Sequence, residues 1–502
     1  MKPLGLNELN ARRLGLLTHD EAVAYIRSDS DVSKSEGLSS HGRIKLQCNG
    51  ATVYASLCQV TSDLIGHNEV GLSEYAWAKL GLSSPRPVTV ASAPPLQSMT
   101  HVRAKMFGEE LGMDAAAEIV RDIVAGRFSD IQLSSFVAAC AFPVLTVAET
   151  IAMTKAMVET GTRLVWPAGP VYDKHCIGGL PGNRTTPIIV AIVTCFGLKM
   201  PKTSSRAITS PAGTADTMET LTNVALDMAA MRRVVDSTGG CFVWGDSVGF
   251  SPADTSVIRI ERALNLDVDG LLVASVLSKK IAAGATHVVI DMPVGPTAKM
   301  RNQASAARLS DLFRHVAAAF NVEVRTIITD GRQPVGRGIG PAPEAEDILA
   351  VLDTQPPELS DLAERSCVLA GAVLEMAGLC RGGEGAGLAS AALRDGRARK
   401  KFDEIREAQG AAKLPPQADF RRPVRAVRSG RVTSIDNRMI ARIAKLTGAP
   451  EDASAGVRLA VRLGENVRQG DILFTLVSGT LGKIAYAMDY VAEHHFAVEI
   501  SR

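Results

Sequence analysis

KHCIGGLPGNRTTPIIVAIVTCFGLKMPKTSSRAITSPAGTADTME, residues Lys174 to Glu219, is the stretch on which the reading of this chain turns. It opens on Lys174-His175 and passes through Gly178-Gly179 and Pro181-Gly182-Asn183. Thr185-Thr186 then lead into an apolar segment. A glycine-rich turn entering a helix exposes backbone N–H groups at the positive end of the helix dipole. Thr185 or Thr186 can cap that helix and also donate a hydroxyl to an anion, while Lys174 supplies a full charge. A plain turn ahead of a capped helix would explain an isolated Gly-Gly. The added lysine, asparagine and two hydroxyls point instead to a phosphate cradle. The loop lacks the GK[ST] ending of a Walker A motif, which argues against an ATPase.

About twenty residues on lies a second polar loop, Ser204-Ser205-Arg206-Ala207-Ile208-Thr209-Ser210, closed by Gly213-Thr214 before Asp216 and Glu219 start another helix. Hydroxyl-rich loops often satisfy only their own backbone. Two of them so close together, each leading into a helix, better suit a site for a phosphorylated, hydroxyl-rich ligand.

Outward from this core, the chain of 502 residues is long enough for several domains. Residues 1–95 carry short β-rich runs (Arg43 to Leu46, Thr52 to Val60, Pro87 to Ala91) and one short helix within Gly71 to Leu82, and read as a small β module. Residues 96–165 show helical periodicity. Between 166 and 415, buried-strand candidates such as HVVIDMPV (His287 to Val294) and EVRTIITD (Glu323 to Asp330) alternate with helices, the pattern of an α/β layer structure. After Pro415-Pro416, residues 416–502 read as an α+β tail. The fold class expected is therefore a multi-domain α/β and α+β protein.

Lys plus Arg number 55 and Asp plus Glu 53, a balance that gives no reason to expect nucleic acid or an anionic membrane as partner. Any positive potential must be local. No apolar run reaches the roughly 18 residues of a membrane span, and the N-terminus does not read as a signal peptide. Eight scattered cysteines without a CxxC pair fit reduced thiols in a cytoplasmic protein, with no disulfide framework or metal site.

The pattern KHxxGG (Lys174 to Gly179) and the pattern SxRxxxxxxGTxD (Ser204, Arg206, Gly213, Thr214, Asp216) resemble the thymidine/pyrimidine-nucleoside phosphorylase family. The string SSRAITSPAGTADT is similar to the branch that includes AMP phosphorylase. The resemblance runs on through LLVASVLSKK (Leu271 to Lys280), VIDMPVGPTAKM (Val289 to Met300) and QPVGRGIGPAPEAEDIL to the C-terminal SGRVTSID. It implies a homodimer or higher homo-oligomer, and a helical domain built from 96–165 joined by 252–285. It further implies an α/β catalytic domain, and for 1–95 a double-psi barrel. Carried over residue by residue, it makes Asp267 the proton donor. Gly179, Ser205, Arg206, Ala207, Ile208, Thr209, Ser210, Thr214, Ser275 and Lys299 become substrate contacts. Lys174, Cys176, Gly178, Gly179, Thr185 and Thr214 become the phosphate site. Inorganic phosphate would be a substrate, with no cofactor and no metal.

Two departures stand out. Cys176 replaces a serine common in the family, and a thiol is the weaker hydrogen-bond donor. Ile260 stands where the pyrimidine enzymes hold the base with an arginine, although Arg259 and Arg262 flank it. Lys279 matches a base-contacting lysine. From pattern alone, Asp267 in LNLDVDGLLVAS would be read as a helix N-cap, and only the resemblance makes it an acid. Three further features read as incidental. Gly336 to Gly340 is an incomplete dinucleotide loop, Arg397 to Lys401 a solvated helix face, and His494-His495 a surface pair on a terminal strand. VRLGENVRQGDILFTL resembles a lipoyl-type hammerhead but lacks a lysine at the hairpin tip.

Overall fold

The computed structural model describes residues 7–18, 20–40, 42–167, 169–207, 210–353, 356–494 and 497–501. By its internal contacts the chain forms two compact units. One holds Met1–Thr160 with Pro252–Leu271, and the other holds Gly161–Ser251 with Leu272–Arg502.

The first unit begins with a closed six-stranded barrel of Glu8–Arg13, Val23–Arg27, Arg43–Cys48, Ala51–Val60, Glu69–Leu72 and Pro87–Ser92. Two of its pairings are parallel, Asn10↔Glu69 and Val23↔Ser56, so the chain must cross over rather than meander. Alternation does the sorting. Ile44 and Leu46 on one strand, and Val53, Ala55 and Leu57 on the next, all face the barrel core. The turn joining these strands is Asn49-Gly50, both at positive φ, the geometry a tight hairpin requires. Beyond a short coil follow the helices Met99–Met106, Met113–Val124, Asp130–Ala141 and Val147–Glu159, with Pro252–Leu264 returning to pack on them. Two reciprocal capping boxes, Ser129 with Gln132 and Thr146 with Glu149, start the third and fourth. Glu149 also takes a buried ion pair from Lys105 at 2.7 Å.

The second unit is layered. Glu323–Asp330, His287–Val294 and Tyr172–Cys176 form a parallel sheet in that order, and Met200–Ser204 pairs in parallel with Gly240–Trp244. HVVIDMPV is the central strand, buried from Val288 to Pro293. EVRTIITD, expected to be buried too, is an edge strand with no fully buried residue. The helix Thr185–Cys195 is buried on all sides from Thr185 to Thr194. That burial is why its sequence shows no polar face. Ser360–Met376 and Arg397–Gln409 cover it.

The tail has a four-stranded and a three-stranded sheet with helices Asn437–Leu446 and Leu481–Glu493. Gly338–Ile339 pairs antiparallel with Val457 and Arg458, so the glycines of 336–340 anchor the tail rather than shape a dinucleotide loop. His494 is not on a strand, as its sequence context suggests. It ends the last helix and stacks on Tyr490 at 4.0 Å. His495 lies outside the described residues. Along Arg397–Gln409, Arg399 pairs with Asp403 and Lys401 with Glu404, as on an ordinary solvated face. No helix among the described residues is long and apolar enough to cross a membrane.

Candidate active site

Lys174 lies on the strand Tyr172–Cys176, and the glycine loop leaves from the C-terminal end of that strand. Parallel pairing sets Lys174 opposite Val289 and Cys176 opposite Asp291. The Lys174 side chain is fully buried. Its ammonium donates to Thr185 Oγ1 at 2.9 Å and Thr186 Oγ1 at 3.5 Å, and stands 3.7 Å from Asp291 Oδ2. The charge is thus presented to the loop through the two threonine hydroxyls.

Asp291 carries no exposed surface. It accepts from Asn183 Nδ2 at 3.0 Å and from Thr329 Oγ1 at 2.6 Å. Asn183 also donates to Cys176 Sγ at 3.3 Å. Burial, reinforced by Asp291, pushes the Cys176 thiol up to about 11, so it stays protonated and remains a weak donor. Asp291 is the organising group that pattern reading missed. A carboxylate inside the apolar run VIDMPV was its available signal, because a charge on a buried strand needs a partner.

Gly178 and Gly179 both take positive φ. At Gly179 a Cβ would sit 2.4 Å from the backbone nitrogen of Lys299, so only glycine fits, and two expected site residues meet there.

The second loop is closed by Asp216, whose Oδ2 accepts from Ala207 N at 2.6 Å and Gly213 N at 2.8 Å. Gly213 is tight as well, since a Cβ would lie 2.6 Å from Ser205 O. The guanidinium of Arg206 is held by the protein. It contacts Glu219 at 2.5 and 2.8 Å and Asp216 at 3.2 Å, and lies 4.7 Å over the Trp244 ring. Arg206 therefore shapes the loop, while Ser205 is exposed and Ser210 turns its hydroxyl to Ala212 O. Ile208 and Thr209 lie outside the described residues. Arg184, a residue the sequence reading passed over, donates to Thr214 Oγ1 at 2.9 Å and Ala212 O at 2.8 Å, and pairs with buried Glu344 at 2.5 Å.

Ser275 is largely buried on the helix Asp269–Ala282 and accepts from Lys279 Nζ at 3.3 Å. Beside the Lys174 strand lies a second buried ionic group. Lys202 and Lys280 clasp Asp173 at 2.9 and 2.7 Å, and Lys202 also donates to Lys174 O at 2.7 Å. Burial alone would raise the Asp173 carboxyl, but the two lysines outweigh it and hold it below the usual range. Burial pushes His175 well below its ordinary value, and Lys280, Lys202, Lys279 and Lys174 add to the effect, so its ring is neutral. Asp267 is exposed, in the turn between Pro252–Leu264 and Asp269–Ala282. The second helix begins two residues after it. Among the described residues no group of three or more His, Cys, Asp or Glu could hold a metal ion.

The glycosyl transferase family model for the helical bundle domain matches residues 100–161, and the model for the a/b domain matches 168–399. A helical bundle domain followed by an a/b domain of this family defines a pentosyltransferase of the glycosyl transferase class. A solved anthranilate phosphoribosyltransferase from Thermus thermophilus shares the fold, with a TM-score of 0.53 at 20% identity, over 62% of this chain and 99% of that one. A protein of Polaromonas sp. named "Putative thymidine phosphorylase" is 52% identical over 494 residues, covering 98% of this chain and 97% of its own. Proteins of the same name from Sphingopyxis alaskensis (53%, covering 96% and 94%) and Legionella pneumophila (50%, covering 97% and 94%) are similarly close. The chain belongs to the thymidine phosphorylase family.

Proposed function

We propose that this enzyme cleaves the N-glycosidic bond of an AMP-like nucleoside 5′-monophosphate with inorganic phosphate, releasing the free base and ribose 1,5-bisphosphate. A phosphate oxygen forms the new bond to C1′ as the C1′–N bond breaks, and the electron pair leaves with the base. The transition state is oxocarbenium-like, so positioning of phosphate and stabilisation of the leaving base set the rate. The glycine loop, with Lys174 behind Thr185, holds the attacking phosphate. Cys176, Gly178, Gly179 and Thr214 complete that site. Ser205, Ala207 to Ser210, Ser275 and Lys299 contact the nucleotide, and Arg206 holds the shape of the loop that carries them. Asp267 gives its proton to a base nitrogen, for which a purine N7 is accessible and basic enough.

The feature that supports the substrate class is the second hydroxyl-rich loop, Ser204 to Ser210, which follows the glycine loop and is tied to it through Arg184; its hydroxyls would take a 5′-phosphate. Ile260 supports the same reading. It is buried at 4% exposure, and its neighbour Arg259 is committed to Asp130 at 2.6 and 2.7 Å, so neither supplies a cation to a pyrimidine anion. The second reading, phosphorolysis of thymidine to thymine and 2-deoxyribose 1-phosphate, is favoured by the names of the relatives. The reading further includes a cytoplasmic, homodimeric enzyme without a cofactor. Support for the dimer comes from exposed apolar side chains just after two of the bundle helices, Phe107 (88%) after Met99–Met106, and Phe142 (86%) and Val144 (72%) after Asp130–Ala141.

The test is release of free base from AMP, CMP, UMP, adenosine and thymidine, with and without phosphate. AMP or another monophosphate should give the highest kcat/KM, arsenate should replace phosphate, and thymidine as best substrate would overturn the monophosphate assignment. Base release at full rate without phosphate would overturn the phosphorylase reading itself.

A further inference from the structure

Arg184 is the last residue of the glycine loop, immediately ahead of the helix Thr185–Cys195. All three of its guanidinium nitrogens are engaged by protein. Nε donates to Glu344 Oε2 at 2.5 Å, Nη1 to Thr214 Oγ1 at 2.9 Å and Nη2 to Ala212 O at 2.8 Å. Glu344 is 1% exposed, and it also accepts from Thr217 Oγ1 at 3.2 Å and Gly340 N at 3.3 Å. One planar side chain thus ties the glycine loop to the hydroxyl loop and to the helix Pro341–Asp353. Arg184 and Glu344 are 160 residues apart in sequence.

The direction of the Thr214 hydrogen bond has a chemical consequence. A hydroxyl has one proton and two lone pairs. Arginine only donates, so Thr214 Oγ1 must accept from it, and the hydroxyl proton is left for another acceptor. Thr214 is partly exposed at the start of its helix, and a cation behind it makes its O–H a better donor. An oxyanion is the ligand such a donor suits.

We infer that Arg184 is a positioning residue of the oxyanion site, which fixes the spacing of the two loops and commits the Thr214 hydroxyl to donate to the attacking phosphate. It does this without lending its own charge to the ligand, because that charge is answered by Glu344. Burial pushes the Glu344 carboxyl up, and Arg184 is the cation that opposes the push. Lysine cannot take over, since an ammonium lacks the planar fork that reaches three acceptors at fixed angles.

This inference rests on the phosphorylase reading, and the experiment separates the two. Initial rates are measured against phosphate at saturating nucleotide, and against nucleotide at saturating phosphate. The proteins are the wild type, Arg184→Lys, Arg184→Gln, Thr214→Val and Arg184→Gln/Thr214→Val. Arg184→Gln/Glu344→Gln is added to avoid an unpaired buried carboxylate. Each Arg184 variant should raise the phosphate KM about tenfold, the scale of one charge-assisted hydrogen bond, while the nucleotide KM stays within about twofold. The Arg184/Thr214 double variant should be no worse than the weaker single, because Arg184 acts on the phosphate through the Thr214 hydroxyl. A wild-type phosphate KM in Arg184→Lys overturns the inference, as do additive losses in the double variant, with the phosphorylase reading intact. Phosphate-independent base release by the wild type overturns both.

Discussion

Asp291→Asn removes one negative charge from a site with no room for compensation. Among the described residues, Asp291 is the one carboxylate within 4.0 Å of the Lys174 ammonium, and both side chains are fully buried. Breaking a buried pair on one side costs about 3–5 kcal/mol. The substitution also misplaces a donor. Asn183 and Thr329 both donate to the carboxylate, and an amide can accept from only one of its two ends. Destabilisation of about 4 kcal/mol at pH 7 is a large part of ordinary domain stability. The assay is urea unfolding at pH 7 for wild type, Asp291→Asn and Lys174→Met/Asp291→Asn. The double variant, with neither charge, should be more stable than Asp291→Asn. If it is less stable, or if Asp291→Asn unfolds with wild type, the buried pair does not organise this loop.

Cys176→Ser should keep or lower the phosphate KM, since a hydroxyl donates better than a thiol held protonated by burial; a collapse of kcat at unchanged fold would give the sulfur another role. Gly179→Ala should lower kcat/KM at least about a hundredfold, because its Cβ meets the Lys299 backbone at 2.4 Å, whereas Gly178→Ala, with nothing within 4 Å, pays only the left-handed backbone cost of about 1–2 kcal/mol. The reverse order of these two would remove the close approach from the explanation. His175 stays neutral when folded, so below its unfolded pKa of about 6.5 the unfolded chain takes up a proton that the folded one refuses, and stability falls on acidification by up to about 1.4 kcal/mol per pH unit. His175→Asn should flatten that dependence between about pH 6.5 and 5 in a thermal-shift series; an unchanged slope would mean that other groups carry it.

What could be read in advance was local. Glycines at positive φ and a strand of alternating or continuous apolar residues declare themselves within a few positions, and HVVIDMPV was found to the residue. Thr185 and Thr186, expected as caps, instead lie inside the helix behind Arg184, their hydroxyls taken by Lys174. What escaped is set by distance along the chain. Arg184 lies in the very loop singled out, yet its partner Glu344 comes from a helix no local pattern connects to it. Arg206 matched a motif and drew a ligand-binding role. Its guanidinium is taken by Glu219 and Asp216, and periodicity cannot say whether a motif arginine faces ligand or protein. EVRTIITD misled for a related reason. β-Branched residues favour any strand, but burial depends on whether a neighbour covers each side, and this strand ends the sheet.

The near-balance of 55 basic and 53 acidic residues hides where charge is concentrated. Around the strand bearing Lys174, three lysines (Lys174, Lys202, Lys280) and two aspartates (Asp173, Asp291) are each at most 3% exposed, so cationic groups outnumber carboxylates whenever Lys280 is protonated. His175 cannot add to it, because burial first and the neighbouring lysines second keep its ring neutral. Burial also drives Lys280 below the usual lysine range despite its contact with Asp173, so the excess is under electrostatic pressure to be relieved. Away from water that potential is poorly screened, and the glycine loop leaves from the end of this same strand. A small oxyanion seated on the loop amides would supply the missing negative charge without any lysine touching it directly. The threonine hydroxyls would carry the contact and the buried lysines the field. This division of labour would let a protein with almost no net charge concentrate its affinity for phosphate at one place.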